Sequence, residues 1–149
     1  MAEAGEAGIG WPPGVEPVDH TADVGLRVRA DTLTSLFERT AAGMCTLIEG
    51  EEGAEARAAE SGGCTLTLES DDVSSLLVAW LRELLFRHQV ERAAFAGATF
   101  LRLAETALEA QVSFRPACEP VREIKGVTYH GLEVEREDGS WRARVIFDV

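Results

Sequence analysis

Asp19-His20-Thr21-Ala22-Asp23-Val24-Gly25-Leu26-Arg27-Val28-Arg29-Ala30 changes character halfway along. The first five residues carry two carboxylates, an imidazole and a hydroxyl. From Val24 onward the pattern is that of a strand with one buried face, because Leu26, Val28 and Ala30 alternate with Arg27 and Arg29. The end of the chain has the same pattern. Trp141, Ala143, Val145 and Phe147 form an inward face, and Arg142, Arg144, Ile146 and Asp148 the other. Each strand has an acidic end, Asp23 at the start of one and Asp148 at the end of the other. The terminal carboxylate of Val149 follows directly. Calcium, magnesium and manganese favour such oxygen donors. On chemistry alone, however, Asp19 and Asp23 read as turn-shaping residues and Asp148 as a solvated edge residue.

The intervening chain alternates helix and strand before turning to strand alone. Asp31 or Thr32 can cap a helix whose apolar positions are Leu33, Leu36, Phe37, Ala41, Met44 and Ile48, with Gly50 as its stop. Glu51 to Gly63 reads as a mobile loop and Thr65 to Glu69 as a short strand. Asp71 and Asp72 suit the N-terminus of a second helix. That helix carries Val73, Leu76, Leu77, Trp80, Leu81, Leu84 and Leu85 and ends near His88 to Glu91. Its wide apolar arc predicts cover on more than one side. Strands follow over Thr99–Leu103, Leu108–Arg115, Val127–Glu135 and Trp141–Asp148. Asp138-Gly139 marks a tight hairpin turn. The expected class is α+β, a single domain with two helices packed on a mainly antiparallel mixed sheet. The domain is expected over residues 18–149. Residues 1–17 read as a disordered leader closed by Trp11-Pro12-Pro13-Gly14.

The 149 residues are 46% hydrophobic and carry a formal net charge of −12. This balance disfavours direct contact with phosphate backbones, and the arginines read as scattered among acids. No apolar run has the length of a membrane span, and no secretory signal opens the chain, so a cytoplasmic location is expected. Cys45, Cys64 and Cys118 have neither disulfide nor zinc-site spacing, and read as buried free thiols. No nucleophile sits in an activating context, and no glycine-rich phosphate loop occurs. His20 could relay a proton or bind metal, though a turn role is the commoner one. His130 reads as a satisfied sheet residue. Lys125, the only lysine, is an ordinary surface charge or a point contact for a phosphate or acidic group.

Three stretches together resemble the archease family. They are Asp19-His20-Thr21-Ala22-Asp23-Val24-Gly25, Ile124-Lys125-Gly126-Val127-Thr128-Tyr129-His130, and the terminal Asp148-Val149. The helix opening Thr32-Leu33-Thr34-Ser35-Leu36-Phe37-Glu38 is similar too. The likeness covers residues 18–149. Gly126 departs from it, since the family more often has alanine there, and so does the long leader. The resemblance implies a non-catalytic accessory factor of the RtcB-type tRNA-splicing RNA ligase. Such a factor promotes guanylylation and turnover of the ligase and broadens its nucleotide use. It also implies a divalent cation, calcium first and magnesium or manganese next, held by Asp23, Asp148 and Val149. Lys125 takes the functional lysine position, and His20 and His130 are further candidates for partner or phosphate contact. Three other readings compete: a chaperone or modulator of DNA- and RNA-processing proteins, a metal-dependent hydrolase using Asp23, Asp148 and His20, and a purely structural cation clip joining the first and last strands.

Overall fold

The computed structural model describes residues 11–19, 24–55 and 62–149. The element order is β1 (Val15–Asp19), β2 (Val24–Ala30), α1 (Leu33–Glu55), β3 (Gly62–Glu69), α2 (Val73–Val90), β4 (Ala93–Leu103), β5 (Ala107–Pro116), β6 (Gly126–Val127), β7 (Glu133–Glu137) and β8 (Ser140–Asp148). The α+β class is as expected, but the strands divide into two sheets. One has the order β1-β2-β8-β6, with β7 also paired to β8, and the other the order β3-β5-β4. All these pairings are antiparallel.

The helices join the sheets. α1 packs on β2 of one sheet and β4 of the other, and α2 packs on β4 and also meets β6. This explains why α2 is apolar on so much of its surface: Leu76, Leu77, Val78, Trp80 and Leu81 are wholly buried. Trp80 sits where the layers meet, with Phe37, Phe95 and Phe100 around it. Its indole N–H donates to Phe37 O at 3.0 Å, which satisfies the one polar atom of a large buried ring. Helix entry is set by side chains. Thr32 Oγ1 accepts from Ser35 N at 3.1 Å, and Asp72 accepts from Ser75 N at 2.8 Å.

Several boundaries differ from the sequence reading. β1 begins at Val15, inside the stretch read as leader, because Val15 pairs with Val28 and is buried. Residues 1–10 lie outside the described residues. α1 continues past Gly50 to Glu55, with a kink where Gly50 adopts φ 81°. The single strand expected over Val127–Glu135 is two strands, β6 and β7, separated by a turn at Tyr129–Leu132. His130 is therefore an exposed turn residue and not a sheet histidine. Cys45 is buried, whereas Cys64 and Cys118 are only half-buried, and none of the three forms a disulfide. The Asp138-Gly139 hairpin is as read, with both residues at positive φ.

Candidate functional site

Strand pairing sets the strand that follows the first acidic stretch against the strand that carries Asp148. β2 runs antiparallel to β8 with Val24 opposite Phe147. Phe147 precedes Asp148, and Val24 follows Asp23 in the chain. His20 and Asp23 themselves lie outside the described residues, as does the side chain of Asp19. On the other side of β8, Gly126 pairs with Asp148 and Val127 with Phe147. The Lys125 N–H donates to Asp148 O at 2.6 Å. The strand of the first motif and the whole of the second thus flank the chain's last strand at one end of the five-stranded sheet.

Each backbone placement has a local cause. Gly25 lets β2 lie close to β8, since a Cβ there would come within 2.3 Å of Val145 O. Ile124 is buried and anchors the segment, and Gln89 Nε2 donates to its carbonyl oxygen at 2.6 Å. Thr128 Oγ1 donates to Ile146 O at 3.1 Å. Gly126, the departure from the family pattern, leaves open space where a Cβ would be, so alanine fits there equally well.

The edge is exposed and rich in oxygen and cationic groups. Asp148, Val149 and Lys125 are all exposed, as is His130. Among the described residues no group of three His, Cys, Asp or Glu side chains could hold a metal ion. Asp148 and the Val149 carboxylate are hard-oxygen donors, which is the chemistry calcium or magnesium takes, and they fit as part of a ligand set. Arg82 and Tyr129 also belong to this edge, although the sequence reading gave Arg82 no role and placed Tyr129 only within the second motif. Arg82 Nη2 donates to Val127 O at 2.9 Å, and its guanidinium lies 5.3 Å from the centroid of the exposed Tyr129 ring. Only the fold joins α2 to this turn, so spacing gave no signal for the pair.

A second polar cluster is buried. The Glu49 carboxylate accepts from Arg115 Nη2 at 2.6 Å and from Cys118 N at 2.9 Å, and pairs with His88 Nε2 at 2.8 Å. Burial works to raise its pKa, but these hydrogen bonds outweigh it and hold the group at about 2. Burial pushes the nearby Cys45 thiol up to about 11, so it is an inert core group. Every member of the carboxylate cluster is satisfied, as expected of a structural tie between α1, α2 and β5.

The archease protein family model matches residues 16–149. The archease of Methanosarcina mazei is 32% identical over 142 residues, spanning 90% of this chain and 94% of the relative. That of Methanopyrus kandleri is 31% identical over 141 residues, spanning 90% and 98%. The solution structure of protein 1598 of Methanobacterium thermoautotrophicum superposes with a TM-score of 0.70 at 31% identity, covering 91% of this chain and 99% of that one. A crystal structure of a Thermotoga maritima archease, described as a possible chaperone, shares the fold with a TM-score of 0.62 at 20% identity, covering 90% and 96%. With its matching motifs flanking one strand end and the family's pattern running from residue 16 to residue 149, the chain belongs to the archease family.

Proposed function

We propose that this protein is a non-catalytic activator of an RtcB-type RNA ligase, promoting guanylylation of the ligase and its turnover in tRNA splicing and RNA repair. It would also broaden the nucleotides the ligase accepts. The observation that carries the reading is the bond from Lys125 N to Asp148 O, which holds the lysine motif against the acidic strand end. The motif resemblance suggests the partner class, and the exposure of this edge leaves it open to one.

In this reading the edge docks at the basic nucleotide channel of the ligase. Asp148, the Val149 carboxylate and Asp23 would hold a divalent cation, calcium first and magnesium or manganese next. Bound there, the ion would supply positive charge for a phosphate. Lys125 steadies a phosphate or a partner carboxylate as a compact point charge. Tyr129, held over Arg82 and 53% exposed, offers an aromatic anchor for protein contact. His130 in the adjoining turn, and His20 in the first motif, are secondary contacts. Because the edge is charged, association is salt-sensitive. The broader reading, a chaperone or modulator of nucleic-acid-processing proteins, uses the same surface without a nucleotide step.

The test is multiple-turnover RNA ligation by a cognate ligase under limiting nucleotide, with and without this protein. Stimulation by wild type that is lost in Asp148→Asn and Lys125→Met supports the reading. Equal stimulation by folded variants overturns it.

A further inference from the structure

The outer face of the five-stranded sheet carries an arrangement that the acidic edge does not use. Arg27 on β2 lies directly opposite Arg144 on β8, and Arg29 lies opposite Arg142. Four guanidinium side chains therefore start from a two-by-two block on adjacent strands, in a protein of net charge −12. They line a groove of about 610 Å³. The arginines that read as scattered in the sequence are gathered here by strand register.

Like charges placed directly across a strand pair destabilise it, and the fold relieves that cost only at the margins. Glu16 on β1 lies opposite Arg27, Glu133 on β7 opposite Arg144, and Glu135 opposite Arg142. Arg142 forms ion pairs with Glu135 and Glu137. Among the described residues Arg27, Arg29 and Arg144 have no ion-pair partner within 4.0 Å. The Nε of Arg144 is buried without any hydrogen-bond partner, which is costly for a charged donor. The centre of the block thus holds three guanidiniums without an ion pair among the described residues and an unused donor, while Glu16, Glu133 and Glu135 line the same groove at its two sides and leave the arginines in excess by one charge.

We propose that this groove binds a short polyphosphate chain, such as the triphosphate of a nucleotide or free pyrophosphate. Guanidinium groups pair with phosphate oxygens through parallel N–H donors, so one ligand could engage Arg27, Arg29 and Arg144 together. The bordering glutamates set its size. The block is two strands wide and two same-face positions long, roughly 5 Å by 7 Å at the backbone. A chain of two or three phosphoryl groups fits within it. A polynucleotide backbone would run on over Glu16 or Glu133 and across a strongly acidic protein, so a compact ligand is favoured over RNA. The site is separate from the acidic edge, since Arg144 precedes Asp148 by about 13 Å of strand.

Calorimetric titration of the full chain, at low ionic strength and with chelator to keep cations away from the edge, tests this. The probes are pyrophosphate, ATP, GTP, adenosine and a single-stranded oligoribonucleotide. Pyrophosphate and the triphosphates are expected to bind and adenosine not to. The paired variants Arg27→Gln/Arg144→Gln and Arg29→Gln/Arg142→Gln should each weaken binding about tenfold or more. Arg92→Gln, which lies off this face, should leave it unchanged. ATP and GTP binding with clearly different affinities would identify a nucleotide as the ligand, since only the base differs between them, and equal affinity would identify the phosphate chain alone. No binding of pyrophosphate or triphosphate by wild type overturns the proposal. So does binding that survives in both folded double variants, or an oligoribonucleotide that outcompetes the triphosphates for the same arginines.

Discussion

Lys125 and Asp148 are bound backbone to backbone, with the amide of the lysine 2.6 Å from the carbonyl of the aspartate. They are 23 positions apart in the chain, yet β6 and β8 make them neighbours at one sheet end. Their side chains are exposed and take no part in the core. Replacing either side chain should therefore separate function from folding. With chelator and no added cation, Asp148→Asn and Lys125→Met are expected to shift unfolding free energy by no more than about 0.5 kcal/mol. Each should lower stimulation of a cognate ligase about tenfold or more, since a charged contact is lost. Denaturant unfolding beside a ligation assay checks both halves.

Gly25 sits in the first motif for a steric reason, since a Cβ would meet Val145 O at 2.3 Å and Ile146 Cδ1 at 2.8 Å. Gly25→Ala should push β2 from β8 and cost about 1–3 kcal/mol. Faster hydrogen exchange at the β2–β8 amides is the expected signature, along with weaker ligase stimulation even though no ligand atom was touched.

Glu49 gives the fold an acid-sensitive tie. Its folded pKa of about 2 lies below the ordinary 4.5. The stabilisation is therefore present above pH 4.5 and lost as pH falls from there toward 2, amounting to about 3 kcal/mol. Glu49→Gln leaves the Arg115 charge buried without its counter-ion, and should cost about 3–5 kcal/mol near neutral pH. The same variant should flatten the loss of stability between neutral and acidic pH, as read by thermal unfolding across that range.

A cation held at the sheet end should be linked to folding. Calcium at about 100 times its dissociation constant should stabilise wild type by about 2.7 kcal/mol. Asp148→Asn should remove most of that gain, as should Asp23→Asn. If calcium raises the Tm of all three proteins equally, the ion binds elsewhere.

How far the sequence reaches depends on which residues must find each other. The strand alternation from Leu26 to Ala30 and from Trp141 to Phe147, the caps at Thr32 and Asp72, and the Asp138-Gly139 turn are local signals, and the fold follows them. The break between β6 and β7 was legible in principle: the apolar alternation slips by one between Tyr129 and Leu132, at Gly131, whose φ of 69° turns the chain, and reading one strand there passed over that slip. β1 was hidden by the prolines around it. The candidate edge was readable as motifs but not as a place, since only the β2–β8–β6 register joins them. The opposition of Arg27 to Arg144 was likewise invisible, because alternating arginines look solvated until strands are aligned. The tie from Glu49 to Arg115 spans two helices and a strand, and no spacing rule points to it.

The most direct measurement is the rate at which a cognate ligase becomes guanylylated, followed by transfer of labelled GMP with this protein added as wild type or as Asp148→Asn. The account predicts faster labelling with wild type and a rate near that of the ligase alone with the variant. Labelling that wild type does not accelerate, or that folded Asp148→Asn accelerates equally, would contradict it.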